Sequence, residues 1–295
     1  MDRGSAMRGT AGLLSCLSLL AAGLAASASA ETAIVPCAAD ATLIESATGA
    51  LGNGVGPAVF VGRTSQAVGS RRRALVRFDV AGVLPPGSIV TRAELGLVLT
   101  PSNSPSIEIG LHRVLADWGE GASAASGGGG APAAPGDATW IHTFYATAFW
   151  ENPGGDFVFE ASATLPVSEV GAVAWGSTPA AIADVQAWVD LPDTNHGWLL
   201  LGGEDASSTA KRFASREADD PAARPQLLVE YEVPCATLDL EGAARALCHV
   251  YCEALDCDAA APGASPRACA QVSRQFARRS GGAALVCERP ESPGR

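Results

Sequence analysis

The chain has 295 residues, a formal net charge of -11, 47% hydrophobic residues and eight cysteines. That length accommodates an all-β domain of about 200 residues with a small appendage. The acidic balance argues against a protein that wraps nucleic acid over a broad basic surface, because such binding releases phosphate counterions along a positive stripe.

Residues 1–30 read as a secretory signal. Arg3 and Arg8 precede an uncharged run from Thr10 through Leu24, and Ala28-Ser29-Ala30 forms a small-residue cleavage site before Glu31. No second apolar span follows, so a secreted, periplasmic or cell-surface protein is expected, with no membrane insertion after cleavage and with an oxidising surrounding.

After Cys37, short apolar runs alternate with Gly, Pro, Asn and Ser, the pattern of a sandwich or barrel of short strands. Strands are expected at Ala41–Ser46, Ala58–Arg63, Arg73–Val80, Ile89–Thr100, Ile107–Leu115, Thr139–Tyr145, Phe157–Ser162, Leu165–Val170, Trp198–Leu201, Lys211–Ser215 and Gln226–Glu232. In the third, Ala74, Val76, Phe78 and Val80 alternate with Leu75, Arg77 and Asp79, giving an apolar inner face and a mixed outer one. In the fourth, Ala93, Leu95, Leu97 and Leu99 share one face.

The stretch Gly121–Gly136 has no periodicity and no aromatic side chain, and reads as a mobile surface loop. It lacks the Gly-Lys-Ser/Thr end of a phosphate-binding loop. One packed helix starts after Ser177-Thr178-Pro179, with Ile182, Val185, Trp188 and Val189 at helical spacing. Trp140, Trp188 and Trp198 sit in apolar runs and are expected in the core.

Beyond Val233-Pro234 the composition changes. Cys235, Cys248, Cys252, Cys257, Cys269 and Cys287 crowd a short tail, residues 235–295, which reads as a helical module held by three disulfides with fifteen possible pairings. Zinc held by Cys248, His249, Cys252 and Cys257 is the rival reading. It is disfavoured because adjacent Cys248 and His249 point apart on a helix and the compartment oxidises thiols. Cys37 is left over, as a free thiol, an intermolecular partner or a partner of Cys235.

From Ser46 to Phe78 the chain carries Arg63, Arg71, Arg72, Arg73 and Arg77 and no Asp or Glu. A guanidinium grips a carboxylate or sulfate through two parallel hydrogen bonds, so this cluster is a candidate uronate or sulfated-sugar site, weighed against a solvated turn. Trp118 and Trp150 stand beside turn residues and are candidates for stacking on sugar rings. His112, His142, His196 and His249 accompany no hydrolase, metalloprotease or calcium-loop spacing, and no catalytic residue is assigned. Glu204, Asp205, Asp219 and Asp220 are weighed for a structural calcium against solvated acidic turns, and neither cofactor nor metal site is assigned.

Taken in order, S-RRR-ALVRFDV, LHRVLADWGEG, ADVQAWVD, NHGWLLLGGE and KRFASRE followed by RPQLLVEY resemble the DNRLRE-type domain, associated with family 96 carbohydrate-binding modules and disaggregatase-related proteins. The resemblance covers residues 38–233. It implies a jelly-roll-like β-sandwich that binds an acidic polysaccharide such as alginate through basic side chains of its first third, here Arg63, Arg71, Arg72, Arg73 and Arg77. The expected function is therefore non-catalytic binding of an anionic polysaccharide. A polysaccharide lyase or glycoside hydrolase on the same architecture, and a cell-surface structural or protein-interaction module, are the rivals.

Overall fold

The computed structural model describes residues 31–101, 104–233, 242–254, 257, 266–279 and 285. The signal segment expected at 1–30, together with Cys235 and Cys287, lies outside the described residues. The strands are β1 (Glu31–Ile44), β2 (Leu51–Gly52), β3 (Ala58–Arg63), β4 (Arg71–Phe78), β5 (Ile89–Leu99), β6 (Ile107–Arg113), β7 (Ala131–Pro132), β8 (His142–Phe144), β9 (Ala148–Phe149), β10 (Ala163–Val167), β11 (Gly171–Trp175), β12 (Trp198–Leu201), β13 (Lys211–Ala214) and β14 (Gln226–Glu232). The helices are α1 (Pro179–Asp190), α2 (Gly242–His249) and α3 (Pro266–Arg279). The all-β expectation holds for the main body.

Two strands change partners midway. The first half of β1 pairs antiparallel with β14, Glu31 opposite Tyr231, and its second half pairs with β4, Ala41 opposite Leu75. The register shifts between Cys37 and Ala39, where the strand turns from one partner to the other. In β3, Ala58–Val61 pair with β13 while Gly62 and Arg63 pair with β4. Through these two strands β1, β14, β5, β13, β3 and β4 close into a ring, and β12, β6 and β10 extend from β4.

The interior of the ring is the main core. Val59, Val76, Phe78, Leu95, Leu97, Leu99, Phe213, Leu227 and Val229 fill it, joined by Val185, Trp188 and Trp198. The alternation in β5 is met in full, since Ala93, Leu95, Leu97 and Leu99 are all buried. Helix α1 begins as its sequence dictates: Thr178 caps it by accepting from the Ala181 amide at 3.0 Å, and Pro179 occupies the first turn. Gln186 fastens it to β5 by accepting from the Val90 amide at 2.9 Å.

The outer face of β4 departs from expectation. Leu75 is fully buried in a second apolar cluster with Ala41, Leu43, Val114, Trp118, Trp140, Trp150 and Leu199. The long excursion between β6 and β10 folds over this face and supplies the three tryptophans. Within it the structure keeps only part of two expected strands: β8 covers His142–Phe144, and Phe157 makes an isolated bridge with Val114. β11 was not anticipated; it pairs with β5, Trp175 opposite Leu95.

The glycine-rich stretch is not a loose loop. The buried Asp137 carboxylate accepts from the amides of Ala122, Ser123 and Ala134, and buried Asn53 accepts from Ala125. The adjacent Asp137 and the distant Asn53 take up these backbone donors, so composition inside the stretch gave no warning.

In the tail, Ala244, Cys248, Tyr251, Cys269, Phe276 and Leu285 form a separate small cluster. Cys257 is bonded to Cys269 with Cα atoms 5.7 Å apart, and Cys248 and Cys252 are disulfide-bonded as well, which removes the thiolates a zinc site would need. Cys37 is a free thiol, with its sulfur 3.2 Å from the Ala39 carbonyl. Burial pushes its pKa well up, and the charge on Asp40 adds to the effect. Because the thiolate is the nucleophile, Cys37 should escape iodoacetamide in the folded protein and be alkylated after denaturation. Peptide mass spectrometry reads this directly; equal labelling in both states would contradict it.

Candidate ligand-binding site

Strand geometry sends Arg71, Arg73 and Arg77 of β4 to the outer face and Arg72 to the other. The five arginines therefore do not form one patch, and their environments differ.

Arg72 is 1% exposed. Its guanidinium donates to the carbonyls of Gly128, Gly69 and Arg71 and to the Gln66 side-chain oxygen. Burial lowers its pKa, opposed by the charge on Glu45. It is a pin between the start of β4 and the glycine-rich stretch, with its guanidinium donors taken up inside the protein.

Arg73 is also engaged. It forms a bidentate pair with Glu204, at 2.7 and 3.0 Å, and donates to the Gly154 carbonyl at 2.8 Å. Its guanidinium lies 4.9 Å from the Trp140 ring centre and 5.5 Å from that of Phe157. Gly154 takes φ +94°, and a Cβ there would sit 2.7 Å from the Arg73 guanidinium, so only glycine fits the turn. Arg77 pairs with Asp117 at 2.7 Å above the Trp118 ring, and Arg63 donates to Ser70 at 2.7 Å.

Arg71 differs from the rest. Its side chain is 46% exposed, and its ion pairs to Glu45 and Glu204 are both long, at 3.8 Å.

Two clefts flank this end of β4 and share Pro153 as a wall. One, of about 430 Å³, is lined by Arg73, Glu151, Asn152, Asp156 and Phe159 among others. The second, of about 560 Å³, is lined by Glu45, Gln66, Arg72, Trp140 and Ile141 among others. Phe159 is 83% exposed and is the most open aromatic ring beside the arginines.

The tryptophans expected as stacking platforms are core residues instead. Trp118 is 1% exposed, with its indole N–H donating to the His196 carbonyl at 2.8 Å, and Trp150 is 5% exposed and donates to Thr139 at 2.9 Å. A turn residue next to a tryptophan says where the chain bends, not where the indole points. Phe159, hidden in sequence inside an apparent strand, carried no signal that it would face outward.

The acidic residues weighed for calcium do not gather: Glu204 is spent on Arg73 and Asp220 caps a turn by accepting from the Ala222 amide. Among the described residues, the group of three acidic side chains close enough to share a cation is Asp40, Glu120 and Glu217, none of which lines either cleft. Burial raises the pKa of Asp40, and it also raises that of Glu217. His112 and His142 are buried and satisfied, His142 by the Thr139 hydroxyl at 2.9 Å. No protein-family model matches the chain, and no curated protein matches it.

Proposed function

We propose that the chain is an exported, non-catalytic binding protein for an acidic polysaccharide, and that an anionic sugar is held at Arg71 beside the paired clefts. The reading rests on the leader-like first thirty residues, on the resemblance to the DNRLRE-type domain with its jelly-roll-like sandwich, and on one observation at the site. That observation is the open guanidinium of Arg71. It has exposed N–H groups and only distant carboxylate partners, so a uronate or sulfate competes for it at little cost, whereas Arg72 and Arg73 must first break short hydrogen bonds. Cleft walls of amide, carboxylate and phenyl groups suit the hydroxyls and apolar faces of sugar rings. No carboxylate pair is assigned to bond cleavage.

Calorimetry with alginate and polygalacturonate tests this reading. Wild-type protein should bind saturably without releasing product, and more weakly as salt is added. Arg71→Ala should weaken binding by about tenfold or more, since a charged hydrogen bond is worth about 1.5–3 kcal/mol, while its folding stability stays within about 0.5 kcal/mol of wild type. Absence of binding to any anionic glycan, or undiminished binding by Arg71→Ala, would defeat the proposal.

A further inference from the structure

We propose that Asp40, Glu120 and Glu217 form a calcium site that ties β1 to the segment after Trp118 and to the turn after β13. The three carboxylates converge with ligand oxygens within 4.8 Å of one another. A calcium shell with bonds of about 2.3–2.6 Å spans about 5 Å from side to side, so one ion reaches all three.

The hydrogen bonds around the cluster leave specific oxygens over. Asp40 is fully buried; its Oδ2 accepts from the Arg216 amide at 2.6 Å, and its Oδ1 has no partner. Glu217 Oε1 lies 2.9 Å from the Arg216 Nε, and its buried Oε2 has no partner. Glu120 accepts from Arg216 through both oxygens and from the Asp40 amide at 2.9 Å. A buried carboxylate oxygen without a donor is costly, and two in one cluster call for a shared positive neighbour. Arg216 does not supply it to those two atoms.

Charge makes the same point. Three carboxylates against one guanidinium leave two formal negative charges in the pocket, matched by one divalent cation. The donors are all carboxylate oxygens, and the nearby Cys37 sulfur is turned towards the carbonyls of Ala39 and Arg77. That donor set favours a hard cation over zinc or copper. The competing arrangement is a proton shared between Asp40 and Glu217 with no ion at all.

The inference is independent of the glycan reading and is tested without glycan. The full chain, stripped with EDTA and moved into chelator-free neutral buffer, is titrated with calcium chloride by calorimetry, with thermal unfolding followed in parallel. One calcium should bind per chain, and Tm should rise with calcium concentration as binding to the folded state requires. Asp40→Asn and Glu217→Gln should each weaken binding at least tenfold. If Asp40→Asn fails to fold, Glu217→Gln, at a partly exposed position, decides alone. No binding by the wild type at a few millimolar calcium, about the range extracellular calcium modules use, would overturn the proposal in favour of the shared proton. Unchanged affinity in the folded variants would overturn it too, by locating the ion elsewhere.

Discussion

Replacing Arg72 with methionine should lower the unfolding free energy by about 3–5 kcal/mol, whereas replacing its neighbour Arg71 with alanine should change it by no more than about 0.5 kcal/mol. The contrast follows from where each side chain ends. Arg72 is buried and supplies donors to the carbonyls of Gly69, Arg71 and Gly128 and to Gln66. Hydrogen bonds to a charged group are worth about 1.5–3 kcal/mol each but do not add fully. Relief from burying the charge returns part of the loss. For a domain of this size the loss lowers Tm by about 10 °C. Urea unfolding of both variants measures it, and the expected pattern is a lower midpoint for Arg72→Met with an unchanged slope. Equal stabilities would show that Arg72 is not the pin described. A variant that removes Arg71, Arg72 and Arg73 together should therefore lose fold stability as well as any anion binding, so it cannot separate the two.

Trp118→Ala and Trp150→Ala should each cost about 3–5 kcal/mol, the range for removing a large buried aromatic side chain. Both indoles sit in the cluster over the outer face of β4 with Leu43, Leu75 and Leu199. Trp118→Ala also strands the His196 carbonyl and removes the ring beneath Arg77. Phe159→Ala, at an exposed position, should leave stability within about 0.5 kcal/mol. Denaturation midpoints of the three variants test this directly. Were either tryptophan variant as stable as Phe159→Ala, the second core would be wrongly drawn and a surface role for that indole would return.

Arg72 and the two buried tryptophans mark the boundary of what the sequence discloses. Periodicity is a local signal, and it suffices where one element meets one core: Leu95, Leu97 and Leu99 of β5, and Val185 and Trp188 of α1, face as their spacing demands. It is not sufficient for β4, which is buried on both faces, because Leu75 between two arginines looks solvent-facing until a distant excursion covers it. The same limit applies to the arginines. Their types and spacing are visible, but Glu204, which takes up Arg73, lies 131 positions away, and Gly128, which takes up Arg72, sits in a stretch whose composition reads as unstructured. Asp40, Glu120 and Glu217 were equally invisible as a group, because they lie in three distant segments and only the folded chain brings them together.

That ring also sets an order of events for the polypeptide. β1 is the first described strand and β14 the last of the main body, and their pairing places the Tyr231 hydroxyl 3.0 Å from the Glu31 carboxylate across 200 positions of sequence. Contacts between such distant residues carry a large loop-closure entropy and dominate the time needed to reach the native state. While the chain emerges from a ribosome, the second half of β1 can find β4 early, but its first half stays without a partner until residues 226–232 have arrived. Until that moment the chain presents an open strand edge able to capture another molecule. The arrival of β14 is therefore the step that closes the ring and removes the edge at which swapping or aggregation could begin.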